Sequence, residues 1–155
     1  YRMRWSILTI ASVLALAYVM NFSGQTIAMG TYLAGLGTVY AFLAPALGWI
    51  GTAVTGSDTS ANALFAKLQV SAAENLQHAG IHGATPELML AANTTGGVVG
   101  KMISPQSLAI AATSVDMEGK ESDILKAVLP WSFAMLVVVC ILVFLQTNVL
   151  SFMIP

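Results

Sequence analysis

The sequence predicts an all-α, polytopic membrane protein that combines transmembrane helices with broken or re-entrant helices. Hydrophobic residues make up 57% of the 155 residues and charged residues only 8%. A soluble domain usually carries about 25% charged residues, so this composition is typical of a bilayer protein. A stretch of glycine, hydroxyl and amide residues at 91–107 interrupts otherwise apolar sequence. Such an interruption is tolerated at membrane depth where it is buried or lines a cavity.

The first predicted span covers residues 5–22, which are 18 mostly apolar residues without a charge. That length is close to the roughly 20 residues that a transmembrane helix needs. Arg2 and Arg4 precede the span and favour a cytoplasmic start.

The second predicted span covers residues 28–56 and contains seven glycine or proline residues. Pro45 should kink or end a helix at the preceding residue. The run is therefore either one kinked span, or a span to Ala44 followed by one arm of a re-entrant hairpin. Residues 59–73 have helical spacing but are too short to span comfortably, which favours the return arm of a hairpin.

The third predicted segment, residues 86–113, is a broken helix. Thr85 and Pro86 form a helix start, with Thr85 as N-cap and Pro86 in the first turn. The helical pattern is expected to fail at the three glycines that follow, and a second start is predicted at Ser104 and Pro105. We expect two half-helices joined by unwound backbone.

The last predicted span covers residues 128–150, a run of 23 apolar residues that Pro130 and Trp131 should begin. Polar loops are expected at 74–85 and 116–123. Lys120 and Lys126 place the loop before this span on the cytoplasmic side.

The charge pattern predicts that Pro155 lies outside the cell, because one span separates it from the cytoplasmic lysines. A reporter enzyme fused to the C-terminus should be active if it requires the periplasm. Activity of a fused reporter that works only in the cytoplasm would contradict this orientation.

Two charged residues lie inside apolar sequence and are candidates for a transport site. Acidic residues at membrane depth are costly and often relay protons, so Asp58 is predicted to couple proton movement to transport. Asp58 is also a good helix N-cap, with a helix starting at Thr59, and the two roles are compatible.

Lys101 is expected near the break of the third helix, where it could bind an anion. The alternative is a lysine that reaches from a helix end to the membrane interface.

The broken helix predicts a binding site for an anion. The half-helix that begins at Pro105 should present free N–H groups and a positive dipole end to an anion. Lys101 would add a full positive charge. Glycines would let the backbone approach the ligand closely. The other residues predicted to bind are Asn93, Thr94, Thr95, Gly96, Gly97, Ser104 and Gln106.

Enzymatic chemistry is disfavoured by the same residues, and no nucleic-acid partner is indicated. The segment from Gly96 to Lys101 fails the phosphate-loop pattern, which needs four residues between its glycines and a Ser or Thr after the lysine. Asp58 has no acidic partner in an apolar run, as an intramembrane aspartic protease would need. His78 and His82 are four residues apart, but Gly80 separates them, so no metal site is predicted.

Two long motifs resemble the L-lactate permease family: residues 56–65 (GSDTSANALF) and residues 92–107 (ANTTGGVVGKMISPQS). Residues 120–123 and 153–155 are similar to the end of a family member. The resemblance implies that residues 1–155 are one membrane domain, the C-terminal portion of a larger permease whose N-terminal part completes the site. The expected partners are the lipid bilayer and a 2-hydroxy acid anion.

The resemblance implies secondary active transport of L-lactate and glycolate with protons, in the bacterial inner membrane, without a cofactor. It suggests a site formed by two helix tips, which adds Ser57 and Thr59 to the substrate-binding residues. Relatives with this architecture often use sodium, so a sodium-coupled carboxylate transporter is one alternative. A membrane subunit that does not transport, with glycines that only pack helices, is another.

Overall fold

The computed structural model describes residues 3–153, and these residues confirm the all-α prediction. Arg2 and Pro155, used above to predict orientation, lie outside the described residues. Within residues 3–153, seven α-helices follow one another and precede a short 3₁₀ turn at Ser151–Met153. They are α1 (Met3–Phe22), α2 (Gln25–Ala34), α3 (Thr38–Thr55), α4 (Asp58–His78), α5 (Pro86–Lys101), α6 (Pro105–Ser114) and α7 (Glu121–Asn148).

Two of these helices, α3 and α7, are each long and apolar enough to cross a membrane. The end of α1 (Ala11–Phe22) and α2 satisfy the same test as a pair, bent by 72° at the break between them. Gly24 occupies this break with φ of 77°, a conformation that glycine adopts without steric cost. The pair is therefore either a broken span or a re-entrant segment.

The run at residues 28–56 breaks at a different place from the one predicted. Pro45 lies inside α3 without ending it, and the break occurs at residues 35–37, where Gly37 has φ of 60°. Burial accounts for the intact helix, because Ala41 and Ala44 on the same turns are completely buried. Packing against neighbouring helices thus outweighs the loss of one backbone hydrogen bond at proline.

Helices α4 and α7 are both longer than predicted. The last turn of α4 reaches His78, since Leu76 is fully buried and anchors residues that were expected to be loop. α7 begins at Glu121 rather than near 128, and Pro130 lies inside it. Glu121 and Asp123 lie in the first turn, where negative charge stabilises a helix.

Helix α5 does not break at its glycines, contrary to the prediction. It runs through Gly96, Gly97 and Gly100 to Lys101. The break that follows comprises residues 102–104, whose N–H groups donate to carbonyls three residues earlier at 3.2–3.3 Å. The connection is therefore a tightened turn rather than unwound backbone.

The glycines of α5 bring its backbone against the backbone of α3. A methyl group on Gly96 would collide with the carbonyl oxygen of Pro45, and one on Gly100 with that of Trp49. Gly48 of α3 is equally close to the carbonyl of Asn93. Small residues that let two helix backbones approach this closely are typical of membrane helix pairs.

The core of the described residues lies where α3, α4, α5 and α7 meet. Tyr40 of α3, Leu76 of α4 and Met89 of α5 are its largest buried side chains, and Val143 of α7 completes it. This packing fixes α3 between α4 and α5 and so determines which of their polar residues face one another.

Candidate functional site

The two sequence motifs meet at one end of the α3–α4–α5 unit. The turn between α3 and α4 faces the break between α5 and α6, and Lys101 Nζ donates a hydrogen bond to the carbonyl of Gly56 in that turn. The side chain of Gln106 lies 3.0 Å from where a methyl on Gly56 would be. Gly56 also has φ of 70°, so the close contact and the backbone both require glycine.

Asp58 is the first residue of α4 and lies between α3 and α5. Its carboxylate accepts hydrogen bonds from Thr52 Oγ1 at 3.5 Å and from Asn62 Nδ2 at 3.2 Å. The helix N-cap is Ser57, whose hydroxyl accepts from the Ser60 N–H at 3.3 Å, so Asp58 is not the cap that was considered. Its side chain is therefore free of the capping role and points between the helices.

Gly97 makes room for this carboxylate. A methyl group on Gly97 would collide with the Asp58 carboxylate and lie 2.7 Å from Thr52 Oγ1. The close approach that was predicted for a ligand at Gly97 is thus made by a side chain of the protein. Gly97 has no positive φ, so its requirement for glycine is one of space alone.

Lys101 lies half-buried at the C-terminal ends of α3 and α5. Besides the Gly56 carbonyl, its ammonium is 3.4 Å from Gln106 Oε1. Carbonyl groups at the end of a helix favour a cation. This position therefore suits a lysine even if no acidic side chain forms an ion pair with it. Among the described residues, one ion pair is present: Lys126 Nζ lies 3.8 Å from Asp123 Oδ1 on the surface. Neither Lys101 nor Asp58 has an ion-pair partner within the part of the chain that the structure describes.

The predicted hydroxyl and amide residues differ in exposure. Thr59, Thr94, Thr95 and Gln106 are exposed, and Ser57 is half-buried. Thr94 Oγ1 donates to Asn62 Oδ1 at 3.2 Å, and Thr95 Oγ1 donates to the Ala91 carbonyl of its own helix at 2.8 Å. The remaining predicted residues, Asn93, Gly96, Gly97 and Ser104, are buried.

The N-terminus of α6 offers an anion fewer donors than predicted. Ser104 Oγ accepts from the Ser107 N–H at 3.4 Å, and the Leu108 N–H donates to the Ser104 carbonyl at 3.0 Å. Pro105 has no N–H. In this first turn, these interactions leave the Gln106 N–H for a ligand.

Four polar residues that side-chain hydrogen bonds link to Asp58, directly or through one another, were not singled out from the sequence: Tyr40, Thr52, Asn62 and Gln69. Asn62 follows Asp58 by four positions, so helical spacing would have placed both side chains on one face. Gln69 follows Asn62 by seven positions and gives the same signal. Tyr40 and Thr52 belong to an apolar helix and carry no such signal.

Comparison with known proteins gives consistent matches. The model of a family described as L-lactate permease matches residues 1–150. The L-lactate permease of Bacillus subtilis (strain 168) is 50% identical over 149 residues, which cover 96% of this chain and 25% of that protein. The L-lactate permease of Escherichia coli (strain K12) is 46% identical over 149 residues, covering 96% of this chain and 26% of that protein.

A glycolate permease, GlcA of Escherichia coli (strain K12), is 42% identical over 149 residues, again 96% of this chain and 26% of that protein. The chain thus spans about a quarter of the length of the curated relatives it matches. No solved structure matches the chain.

Proposed function

The chain belongs to the L-lactate permease family, and on this premise we propose that it is part of a transporter for L-lactate, glycolate and related 2-hydroxymonocarboxylates, driven by proton symport. The proposed location is the bacterial plasma membrane, which the protein crosses several times. The proposal depends on one observation, the meeting of two polar helix ends. Among the described residues, neither Lys101 nor Asp58 has an ion-pair partner at this meeting point.

The proposed substrate site lies on the exposed side of this meeting point. The ammonium group of Lys101 has three donor hydrogens, and here it contacts two neutral oxygens. The substrate carboxylate would contact this ammonium group. The Gln106 N–H, at the positive end of α6, is a second donor for the same carboxylate. The 2-hydroxyl group of the substrate can form hydrogen bonds with hydroxyl side chains. The proposed site contains those of Ser57, Thr59, Thr94 and Thr95.

The buried members of the predicted site have supporting parts in this proposal. Ser104 holds the first turn of α6 in place beside Lys101, whose carbonyl accepts from Ser104 Oγ at 3.0 Å. Gly96 and Gly97 keep α5 close to α3 and to Asp58. Asn93 lies under the exposed threonines and reaches Asp58 through Asn62.

Asp58 is the proposed proton-coupling residue. A lactate anion and a proton cross together without net charge, so a carboxylate that gains and loses one proton can link the two movements. Both oxygens of Asp58 face polar partners, Thr52 and Asn62, which can stabilise the ionised form. The coupling ion of this proposal is H⁺, and no cofactor is required.

Asp58→Asn should keep lactate exchange across the membrane but weaken accumulation driven by a pH gradient, because asparagine cannot carry the proton. The full-length permease in proteoliposomes would be assayed for both activities with labelled lactate. Asp123→Asn, an exposed acid in the first turn of α7, is the matched control and should accumulate lactate normally. Normal gradient-driven accumulation by Asp58→Asn would place coupling elsewhere in the protein.

Sodium coupling is the second candidate, favoured by the Thr52 hydroxyl 3.5 Å from the Asp58 carboxylate, because hydroxyl and carboxylate oxygens suit hard cations. The same proteoliposomes distinguish the candidates when a sodium gradient is applied at equal pH on both sides. Accumulation under that gradient would favour sodium. Complete absence of uptake by the full-length protein would favour a non-transporting membrane subunit.

A further inference from the structure

A continuous chain of side-chain hydrogen bonds runs through the buried interior of α3, α4 and α5 and ends on Asp58. Tyr40 OH donates to Gln69 Oε1 at 2.6 Å, and Gln69 Nε2 donates to Asn93 Oδ1 at 3.2 Å. Asn93 Nδ2 donates to Asn62 Oδ1 at 2.7 Å, and Asn62 Nδ2 donates to Asp58 Oδ2 at 3.2 Å. Tyr40, Gln69 and Asn93 are at most 1% exposed, so water does not compete for these groups.

One main-chain group determines the direction of the whole chain. Gln69 Nε2 also donates to the carbonyl of Ala44 at 3.0 Å, and a carbonyl can only accept. The amide of Gln69 therefore cannot be turned around without setting two acceptors against each other. Because Gln69 is fixed, Asn93 must present its oxygen to Gln69 and its NH₂ to Asn62. The amide of Asn62 is then oriented in turn, and its NH₂ faces Asp58.

A second donor supports the same orientation. Thr94 Oγ1 donates to Asn62 Oδ1 at 3.2 Å, so two donors converge on that oxygen and leave the Asn62 NH₂ for the carboxylate. No buried side-chain nitrogen or oxygen in the described part of the chain lacks a partner. A fully satisfied buried network of this kind rigidifies the groups that belong to it.

We propose that Gln69 is a positioning residue for Asp58: without touching it, Gln69 fixes the orientation of the Asp58 carboxyl group through Asn93 and Asn62. This inference rests on the proposed coupling role of Asp58 and deepens it. Gln69 lies about three turns along α4 from Asp58 and transmits the fixed geometry of the Ala44 carbonyl. The carboxyl group is thereby held in one orientation, with Oδ1 towards Thr52 and Oδ2 towards Asn62.

The transport test replaces Gln69 with Met, which keeps the length of the side chain but removes both donors. Gln69→Met should reduce pH-gradient-driven accumulation of lactate about tenfold, because Asn93 and Asn62 are no longer oriented and the hydrogen bond from the Asn62 amide to the Asp58 carboxylate is lost, while exchange stays within about twofold of wild type. Introduced into the Asp58→Asn background, the same change should have no further effect on accumulation, since residues in one network do not act additively.

The matched control is Asn75→Met on the same helix. Asn75 is half-buried and donates to the Ser71 carbonyl at 2.7 Å and to Thr31 Oγ1 at 3.4 Å, outside the chain that reaches Asp58. Its substitution should change neither accumulation nor exchange by more than about twofold. Equal losses in both variants, or equal loss of exchange and accumulation in Gln69→Met, would overturn the proposal.

A spectroscopic test does not depend on transport. Infrared difference spectra of the purified full-length permease at acidic pH should contain a carboxylic acid C=O band that is absent in Asp58→Asn. Because a hydrogen bond weakens the C=O bond that accepts it, Gln69→Met should move this band to higher wavenumber. An unmoved band would overturn the positioning role. If instead Asp58→Asn accumulates lactate normally, the coupling proposal fails and the infrared result still decides the inference.

A second substitution covers the case in which Gln69→Met does not fold. Gln69→Leu also removes the donor to Asn93 and adds no carboxyl group of its own, so the same band should move. Size-exclusion chromatography identifies folded protein for each variant. Recovery of folded Asn75→Met but of neither Gln69 variant would show a role in folding alone and would contradict the proposal.

Discussion

Gly96→Ala is expected to destabilise the permease strongly. The added methyl would collide with the main-chain carbonyl of Pro45, which cannot move unless α3 and α5 separate. Overpacking of a well-packed interior typically costs about 1–3 kcal/mol, and a clash with a backbone atom belongs at or above the upper end. The stability of a folded domain is only about 5–15 kcal/mol, so we expect little monodisperse protein and a much lower melting temperature. Both can be measured by size-exclusion chromatography of the full-length protein after heating.

Gly80→Ala is the matched control, because it adds the same methyl group where no atom lies within 4 Å. Gly80 has φ of 91°, so this variant carries backbone strain of about 1–2 kcal/mol but no clash. It should melt measurably below the wild type yet well above Gly96→Ala. Equal melting temperatures for Gly96→Ala and the wild type would show that the backbones of α3 and α5 are not in the close contact described.

The glycines of α5 illustrate what the sequence could not predict. Glycine both weakens a helix and allows close helix packing, and only the position of a neighbouring backbone decides between these effects. Gly96 and Gly100 face α3, so packing prevails and α5 remains continuous. The helix starts at Pro86 and Pro105 were predictable, because each depends on a cap within three residues: Thr85 accepts from the Leu88 N–H and Ser104 from the Ser107 N–H.

The site shows the same division between local and distant information. The motifs at 56–65 and 92–107 identified Asp58 and Lys101 as charged residues in apolar surroundings, which is a local property. The partner of Lys101 was not predictable, because the Gly56 carbonyl is 45 residues away and carries no side-chain signal. The link from Gln69 to Asn93 likewise joins residues 24 positions apart and requires the packing of α4 on α5.

Lys101→Met should raise the half-saturation concentration for lactate strongly while the protein still inserts into the membrane. A dehydrated carboxylate needs a positive charge, and Lys101 is the cation at the proposed site. A charge-assisted hydrogen bond contributes about 2–3 kcal/mol, which corresponds to roughly 30- to 150-fold in affinity. Methionine has a similar length and keeps the apolar packing of the lysine side chain. Concentration-dependent lactate uptake into proteoliposomes containing the full-length permease would measure the change.

Lys101→Arg separates the binding role from the structural role at the end of α3. Arginine can still donate to the Gly56 carbonyl and keeps the charge, but its planar fork does not replace a compact ammonium beside Gln106. We therefore expect the melting temperature of this variant to match the wild type and its half-saturation concentration to fall between those of wild type and Lys101→Met. If Lys101→Met lowers the melting temperature but transports lactate with unchanged half-saturation, Lys101 only caps α3, and the substrate carboxylate binds elsewhere.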